Sequence, residues 1–349
     1  MQSRGPLYAI ATAFVTAALI GSAAWWAHRY LTSGQAGKHV NRRAWVASYE
    51  ERGLPVPPGP RDGFWQDKIP KRVQSASTAW REDRVDLPGQ ITIDEKGWQH
   101  YRSRGVAQHT LLIIGGSVAF GAYASSEQDT YFWRLGELLD EDPRTASDIV
   151  VVASIAWKSS QELAAFALEA EAIEPDWLIT IDGLNDLTNG ANAKALYSQP
   201  TETLDGTPWH LEYHALDYMD RAVHYTRNIA KMLALAEQRD VGMMVVLQPA
   251  LSERTSMSED EADLFRRVEE RFGSRGHLAE AHVAMRRGLQ VISSQANIQV
   301  LDASRLFDSE PETTFTDMWH FSDPGHEMLA RAIAQQLAPL LIAETDARP

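Results

Sequence analysis

Five continuous runs of apolar residues recur along the second two-thirds of the chain. Continuous rather than alternating hydrophobicity is typical of strands that are covered on both faces of a sheet, so each run predicts a buried strand. The runs are TLLIIGG (110–116), DIVVVAS (148–154), DWLITID (176–182), GMMVVLQ (242–248) and NIQVLD (297–302).

Amphipathic stretches lie between and after these runs, and their spacing predicts helices over 131–140, 159–173, 218–239, 278–294 and 325–342. Because strand and helix alternate five times, we expect a three-layer α/β domain with a five-stranded parallel sheet, extending over 90–349. Such sheets bind ligands at the carboxyl ends of their strands. Residues 187–216 and 250–277 show no regular pattern, and we expect long irregular connections there that shape a site.

The N-terminal segment has a different character. Residues 7–27 carry no charge, and as a helix they would span roughly 30 Å, the thickness of a bilayer core. Trp25, Trp26 and Tyr30 follow at its end, where aromatic rings suit the membrane interface. We therefore expect a transmembrane anchor that contacts the lipid bilayer. A cleaved signal peptide is the alternative, since the small residues 22–24 offer a possible cleavage site.

A polar, proline-rich stretch separates the anchor and its flanks (1–33) from the predicted domain. It includes the sequence GLPVPPGPRDG, which is typical of a semi-rigid extended linker. We expect residues 34–89 to form this tether together with a lead-in to the domain.

The composition excludes several classes of function. The chain of 349 residues has a formal net charge of -14, which argues against a nucleic-acid partner. It contains no cysteine, so disulfides, cysteine nucleophiles and thiolate metal sites are excluded.

A serine and an asparagine follow two of the predicted strands. Ser117 follows the first strand in IGGSVAFG, where Gly115 and Gly116 allow a tight turn that would expose its hydroxyl. Asn185 follows the third strand in DGLNDLTNG, where its amide is positioned to donate to a developing oxyanion. Each residue has a structural alternative. Ser117 would then only cap a helix, and Asn185 would only belong to an ordinary Asn–Asp turn.

The spacing Asp-x-x-His occurs twice before the last predicted helix, as Asp317–His320 and as Asp323–His326. An aspartate three residues before a histidine can fix its tautomer and stabilise its cation. One such pair is weak, because a chain of this composition contains roughly one by chance. A Pro-Gly pair marks a helix start before His326, so we expect His326 in a first helical turn with Asp323 as its cap, and His320 as the candidate base.

Four sequence blocks now stand in a recognisable order: IDEKGWQHY, GGSVAFG, GLND and TDMWHFSDPGHEMLARAI. They resemble the lead-in and blocks I, III and V of bacterial SGNH (GDSL-type) hydrolases over about 90–343. This resemblance implies a flavodoxin-like sheet, with Ser117 as nucleophile, His320 as base, Asp317 as its orienting carboxylate and Asn185 as an oxyanion donor. It also implies an ester substrate, such as a lipid, an O-acetylated sugar or a thioester.

Two positions depart from the pattern of that family. Gly116 stands where the signature has an aspartate, although Gly116 remains a candidate binding residue of the oxyanion site. Block II normally supplies a glycine N–H to the oxyanion hole, whereas the matching VVVASIAWKSSQELAAF has none, and Ala156 aligns best. The N–H of Ala156 can take the place of the glycine donor only if the backbone there does not need positive φ. Loss of such a donor lowers the rate about 10²–10³-fold.

Further candidates carry less weight. His210 and His214 have the i, i+4 spacing of metal ligands, but no third ligand is evident, so we expect neither a metal nor another cofactor. Trp157 and Trp319 flank the proposed site and are candidates for a substrate pocket, with core packing as the alternative.

The sequence thus favours a membrane-anchored serine ester hydrolase acting on an envelope glycan or lipid ester. There are two alternatives. One is an O-acyltransferase that uses the same residues, and the other is a degenerate domain that serves as a structural subunit with unknown membrane-complex partners. The basic residues after the anchor would place the domain in the cytoplasm by the positive-inside rule. The resemblance instead favours a single-pass protein whose large domain is periplasmic or extracytoplasmic, and both placements stay open.

Overall fold

The computed structural model describes most of the chain after the tether. All the described residues belong to a compact unit that spans Pro57–Pro349. The predicted anchor at 7–27 lies outside them. Within the described part of the chain, no helix combines the length and the apolar character that a membrane crossing requires. The described residues are 72–75, 78–87, 89, 91–188, 215–272, 275–317 and 319–348.

A six-stranded sheet forms the centre of this unit, and two short antiparallel hairpins precede it. The strands are β1 Arg72–Ser75, β2 Ala79–Glu82, β3 Val85–Leu87, β4 Ile91–Ile93, β5 Gln99–Tyr101, β6 His109–Gly115, β7 Ser147–Ala153, β8 Trp177–Asp182, β9 Gly242–Leu247 and β10 Gln299–Asp302. Strands β1–β2 and β3–β4 form the hairpins, and the central sheet has the order β10-β9-β8-β6-β7-β5.

The five predicted strands are confirmed as the parallel part of this sheet. Counted among themselves, they have the order 2-1-3-4-5, which is that of flavodoxin-like sheets. The prediction of a purely parallel five-stranded sheet is wrong, because β5 adds a sixth strand that pairs antiparallel with β7. Strand β5 has only three residues, and its middle residue is half-buried, so it produces no continuous apolar run.

The helices cover both faces of the sheet. Tyr131–Leu139 (α1) and Asp323–Ala347 (α7) lie on one face, and Ser159–Glu169 (α2), Ala215–Gln238 (α4) and Arg275–Gln295 (α6) lie on the other. Two further α-helices occur among the described residues: α3, Leu184–Thr188, and α5, Glu259–Phe272. The five predicted helices and the three-layer arrangement are therefore confirmed.

Strand β6 shows why its sequence is continuously apolar. Leu111 and Ile113 pack in the core under α1 and α7, whereas Leu112 and Ile114 pack in the core under α2, α4 and α6. Both faces of the strand are excluded from water, so neither set of alternating positions tolerates polar residues.

Helix α5 lies within 250–277, where we expected irregular chain, and that prediction is wrong for its 14 residues. The sequence EDEADLFRRVEERF is strongly charged. Leu264 and Phe265 are the residues by which its described part packs on the core. Because most of its residues are charged, the segment lacks the overall hydrophobicity that marked the other predicted helices.

Candidate active site

Ser117 lies in a tight turn at the carboxyl end of β6. The carbonyl of Gly116 accepts the N–H of Phe120, and the carbonyl of Ser117 accepts that of Ala122, each at 3.0 Å. Strand β8 is the direct neighbour of β6, and Asn185 is the second residue of α3, which follows β8. Because the carboxyl ends of parallel strands meet at one edge of the sheet, Ser117 and Asn185 emerge side by side.

Asp317 and His320 lie on the loop that leads into α7. Thr316 donates its N–H to the carbonyl of His320 at 2.9 Å, which closes the loop. Oδ1 of Asp317 accepts the N–H of Trp319 at 2.7 Å and that of His320 at 2.8 Å. The Asp-x-x-His spacing therefore forms a turn stabilised by its own aspartate. This turn holds the second carboxylate oxygen beside the imidazole.

His320 connects this loop to the serine. Its Nδ1 lies 2.8 Å from Oδ2 of Asp317, and its Nε2 lies 2.8 Å from Oγ of Ser117. All three residues are at most 9% exposed. When the carboxylate accepts the Nδ1 proton, Nε2 is the nitrogen that can accept a proton from the hydroxyl. The structure thus brings together three of the residues that the sequence singles out.

A buried ion pair fixes the chain just before Asp317. Nη1 of Arg254 lies 2.7 Å from Oε1 of Glu261, and the two side chains are 1% and 0% exposed. The same Glu261 oxygen accepts the N–H of Thr314 at 2.9 Å and that of Phe315 at 3.0 Å. Removing one member of such a pair leaves a buried charge uncompensated, so the arrangement is rigid. No sequence pattern pointed to these two residues.

Ala156 occupies the left-handed backbone region, with φ +68. The turn that contains it follows β7 and is held by Glu82, whose Oε1 accepts the hydroxyl of Ser154 at 2.7 Å and the N–H of Ile155 at 3.1 Å. A residue with a Cβ pays about 1–2 kcal/mol in this conformation. The turn therefore does require positive φ, and alanine adopts it at a cost while keeping its N–H.

The amide of Asn185 packs directly against Gly116. Its Nδ2 donates to the carbonyl of Trp157 at 2.9 Å, which fixes the plane of the amide. A Cβ added at residue 116 would lie 2.2 Å from this nitrogen and 3.3 Å from the Trp157 carbonyl oxygen. No side chain fits there in this arrangement. This close approach accounts for glycine where the SGNH signature has aspartate.

The sequence matches the GDSL-like lipase/acylhydrolase family over residues 113–328, which is more than half of the chain. The chain belongs to this family. As a GDSL-like acylhydrolase, it is a hydrolase that acts on ester bonds. No curated protein sequence matches it.

Solved structures with a similar fold include a lipase, Lip_vut3, from a goat rumen metagenome, with a TM-score of 0.47 and 16% identity over 65% of this chain and 97% of that one. A putative GDSL-like lipase from Parabacteroides merdae has a TM-score of 0.46 and 12% identity over 68% and 99%. A catalytic mutant of Axe2, an acetylxylan esterase from Geobacillus stearothermophilus, has a TM-score of 0.42 and 17% identity over 67% and 96%.

Buried polar groups next to Asn185 in the chain connect the segments that surround the acylhydrolase site. Asp186 accepts the N–H of Ser159 at 2.9 Å and its hydroxyl at 2.6 Å, and thereby ties α3 to the start of α2. Burial, reinforced by Asp182, raises the pKa of Asp186 to about 7. Burial also lowers the pKa of Lys158, the residue before α2, to about 8. These groups fix the two segments that carry Ala156 and Asn185.

The two tryptophans considered as pocket residues lie in different surroundings. Trp157 is 2% exposed and belongs to the core beneath α2 and α4, so it does not line an open pocket. Trp319 is half-buried. No group of three or more histidine and acidic side chains suited to a metal is found in the part of the chain that the structure describes. His210 and His214 lie outside that part.

The second Asp-x-x-His pair lies at the start of α7. The N-cap of α7 is Ser322, so the prediction that Asp323 caps the helix is wrong. Oδ1 of Asp323 instead accepts the N–H of Ser125 at 2.8 Å. His326 is in the first turn, as expected, and is completely buried. Its Nε2 lies 3.3 Å from the carbonyl oxygen of Ala122.

Proposed function

We propose that this acylhydrolase is a serine esterase in which Ser117, His320 and Asp317 carry out acyl transfer to water. The observation that supports it most strongly is the hydrogen-bonded chain from Ser117 Oγ through His320 to Asp317, with both contacts at 2.8 Å. His320 Nε2 takes the serine proton as Ser117 attacks the ester carbonyl. The imidazolium then protonates the leaving alcohol, and water releases the acyl group by the reverse transfers.

The negative charge that develops on the carbonyl oxygen requires donors at the same edge of the sheet. We assign this role to the N–H of Ser117, the N–H of Ala156 and the amide of Asn185, with Gly116 providing the space. One Asn185 hydrogen binds the Trp157 carbonyl and fixes the amide plane, and the other would be directed at the oxyanion. Pre-oriented donors of this kind are each worth about 10²–10³ in rate.

Labelling with a fluorophosphonate probe tests the nucleophile. The full chain in detergent should become covalently labelled, and Ser117→Ala and His320→Ala should each abolish labelling, because one removes the attacking oxygen and the other its base. His100→Ala is the matched control, since His100 also pairs with an aspartate, Asp94 at 3.0 Å, but on the edge strand β5. Labelling that survives Ser117→Ala, or a folded wild type that stays unlabelled, would rule the proposal out.

We further propose that residues 7–27 anchor the enzyme in a membrane and that its substrate is an acyl or acetyl ester of an envelope glycan or lipid. The uncharged N-terminal segment supports this proposal. The full chain should remain in the membrane pellet after a high-salt wash, whereas a chain lacking residues 1–33 should be released. A full chain found in the supernatant would contradict the anchor. Protease accessibility of the domain in sealed vesicles identifies its side.

A further inference from the structure

The loop that follows Ser117 carries an aromatic residue that no sequence pattern indicated. The ring of Tyr123 stacks on the imidazole of His320, with centroids 4.6 Å apart and planes 21° from parallel. We propose that Tyr123 is a positioning residue for His320, and that Asp323 and His326 clamp the loop on which it lies. This inference rests on the proposed function, because it assigns Tyr123 the task of positioning His320, the general base of that reaction.

Stacking of this kind restrains the imidazole in a way that its hydrogen bonds do not. The contacts to Asp317 and Ser117 are made at the two ring nitrogens, at the edge of the imidazole. The tyrosine ring instead packs on the face of the imidazole and opposes tilting of the ring out of its plane. It also favours the cationic imidazole, because the face of a tyrosine ring attracts positive charge. The imidazolium forms only after Ser117 has lost its proton, so this attraction acts on the transition state.

The backbone of Tyr123 is strained. Its φ is +72, in the left-handed region that bulky residues rarely adopt. Such strain persists only where the surroundings enforce it, and it concentrates at functional sites. A glycine would satisfy the same backbone without strain, as Gly121 does two residues earlier with φ +80. Tyrosine at this position therefore retains its ring at a cost in stability.

The second Asp-x-x-His pair enforces this conformation from both sides of Tyr123. His326 binds the carbonyl oxygen of Ala122 at 3.3 Å, and Asp323 accepts the N–H of Ser125 at 2.8 Å. These contacts flank the strained residue. Both clamping residues lie in the first turn of α7, and the loop with His320 leads directly into that helix. One helix terminus therefore fixes the tyrosine and the histidine against each other.

His326 is suited to a permanent structural contact rather than to proton transfer. Its ring packs against Phe321, with centroids 4.8 Å apart, and it is fully buried. Burial lowers the pKa of His326 to about 3, so it is neutral at physiological pH. A neutral imidazole has one N–H, and at Nε2 this hydrogen donates to the Ala122 carbonyl. The two histidines of the doubled motif thus have separate tasks.

Two substitutions at Tyr123 separate the ring from the backbone. In the full chain, Tyr123→Phe keeps the ring and should be labelled by the fluorophosphonate within about twofold of the wild-type rate. Tyr123→Gly removes the ring and relieves the strain, so it should be labelled about five- to tenfold more slowly while its melting temperature is equal or higher. A residue with only a structural role would not lose rate while gaining stability. Labelling of Tyr123→Gly at the wild-type rate would overturn the proposal.

The clamp is tested by a double-mutant cycle. Asp323→Ala should slow labelling, and Asp323→Asn should slow it less because one acceptor oxygen remains. The double variant Asp323→Ala with Tyr123→Gly should be labelled no more slowly than Tyr123→Gly alone. Residues that act through one another are non-additive, whereas independent ones multiply their effects. Multiplicative losses would remove Asp323 from the proposal.

A spectroscopic readout keeps this inference distinct from the proposed function. The measurement is NMR of the full chain with isotope-labelled histidine. The His320 ring protons are identified by the loss of their signals in His320→Ala. They should show a ring-current shift in the wild type and in Tyr123→Phe. The shift should vanish in Tyr123→Gly. If the wild type is never labelled, the serine mechanism fails, yet the shift still decides whether the stack exists. If labelling occurs and no shift changes, the stack alone fails.

Discussion

The backbone strain at Ala156 is confined to one residue and is removable by one substitution. Glycine adopts φ +68 freely, whereas this conformation costs alanine about 1–2 kcal/mol. Glycine in turn loses about 0.5–1 kcal/mol more than alanine in conformational entropy on folding. We therefore expect Ala156→Gly to raise the free energy of unfolding by up to about 1 kcal/mol. Labelling at Ser117 should be as fast or faster, because the N–H assigned to the oxyanion stays in place. Chemical denaturation and labelling kinetics measure the two effects.

Ala153→Gly is the matched control for that substitution. Ala153 is a buried alanine at the end of β7, three residues earlier, and its φ is not in the left-handed region. With no strain to relieve, glycine there should lower the free energy of unfolding by about 0.5–1 kcal/mol or more. If Ala156→Gly destabilises the protein as much as Ala153→Gly does, the backbone at Ala156 is not strained.

At this same scale, residues that follow strand ends or stand in a short motif could be located from the sequence. The structure brings Ser117, Asn185, Asp317 and His320 to one edge of the sheet, because a parallel sheet dictates where its carboxyl ends meet, and their catalytic roles stay predictions. Tyr123 could not be found in this way. Its importance lies in a backbone angle and a stacking contact with a residue far along the chain, and neither leaves a local pattern.

At the scale of elements, the buried parts of the fold were predictable and the peripheral parts were not. Strands β6 to β10 and the helices that cover them have long apolar signals, and these were confirmed. Strand β5 has only three residues and helix α5 is mostly charged, so neither has the long apolar signal of the buried elements. Yet α5 contributes Glu261, which holds the loop before Asp317. An element with a weak sequence signal can thus be essential to the geometry of a site.

At the scale of the whole molecule, the folded unit that carries the candidate site extends beyond the region that matches the family. The match begins at residue 113, and the sequence predicts a domain start at 90. Strand β2 precedes both boundaries and carries Glu82, which is completely buried. Its Oε1 accepts hydrogen bonds from Ser154 and Ile155, immediately before Ala156. The lead-in that follows the tether therefore contacts the turn to which we assign an oxyanion donor.

This contact predicts that Glu82 affects a site far from it in sequence. In the full chain, Glu82→Ala would leave the buried hydroxyl of Ser154 and the partly buried N–H of Ile155 without their acceptor. A lost acceptor costs about 1–3 kcal/mol for each donor, so the free energy of unfolding should fall by about 2 kcal/mol or more. Labelling of the remaining folded enzyme should slow, because the turn with Ala156 loses its support. Glu82→Gln retains an acceptor oxygen and should recover much of both losses. Asp83→Ala, at the exposed neighbouring position, should change neither measurement. If Glu82→Ala labels at the wild-type rate, the lead-in contributes to stability alone, and the oxyanion turn is fixed by the residues within the family match.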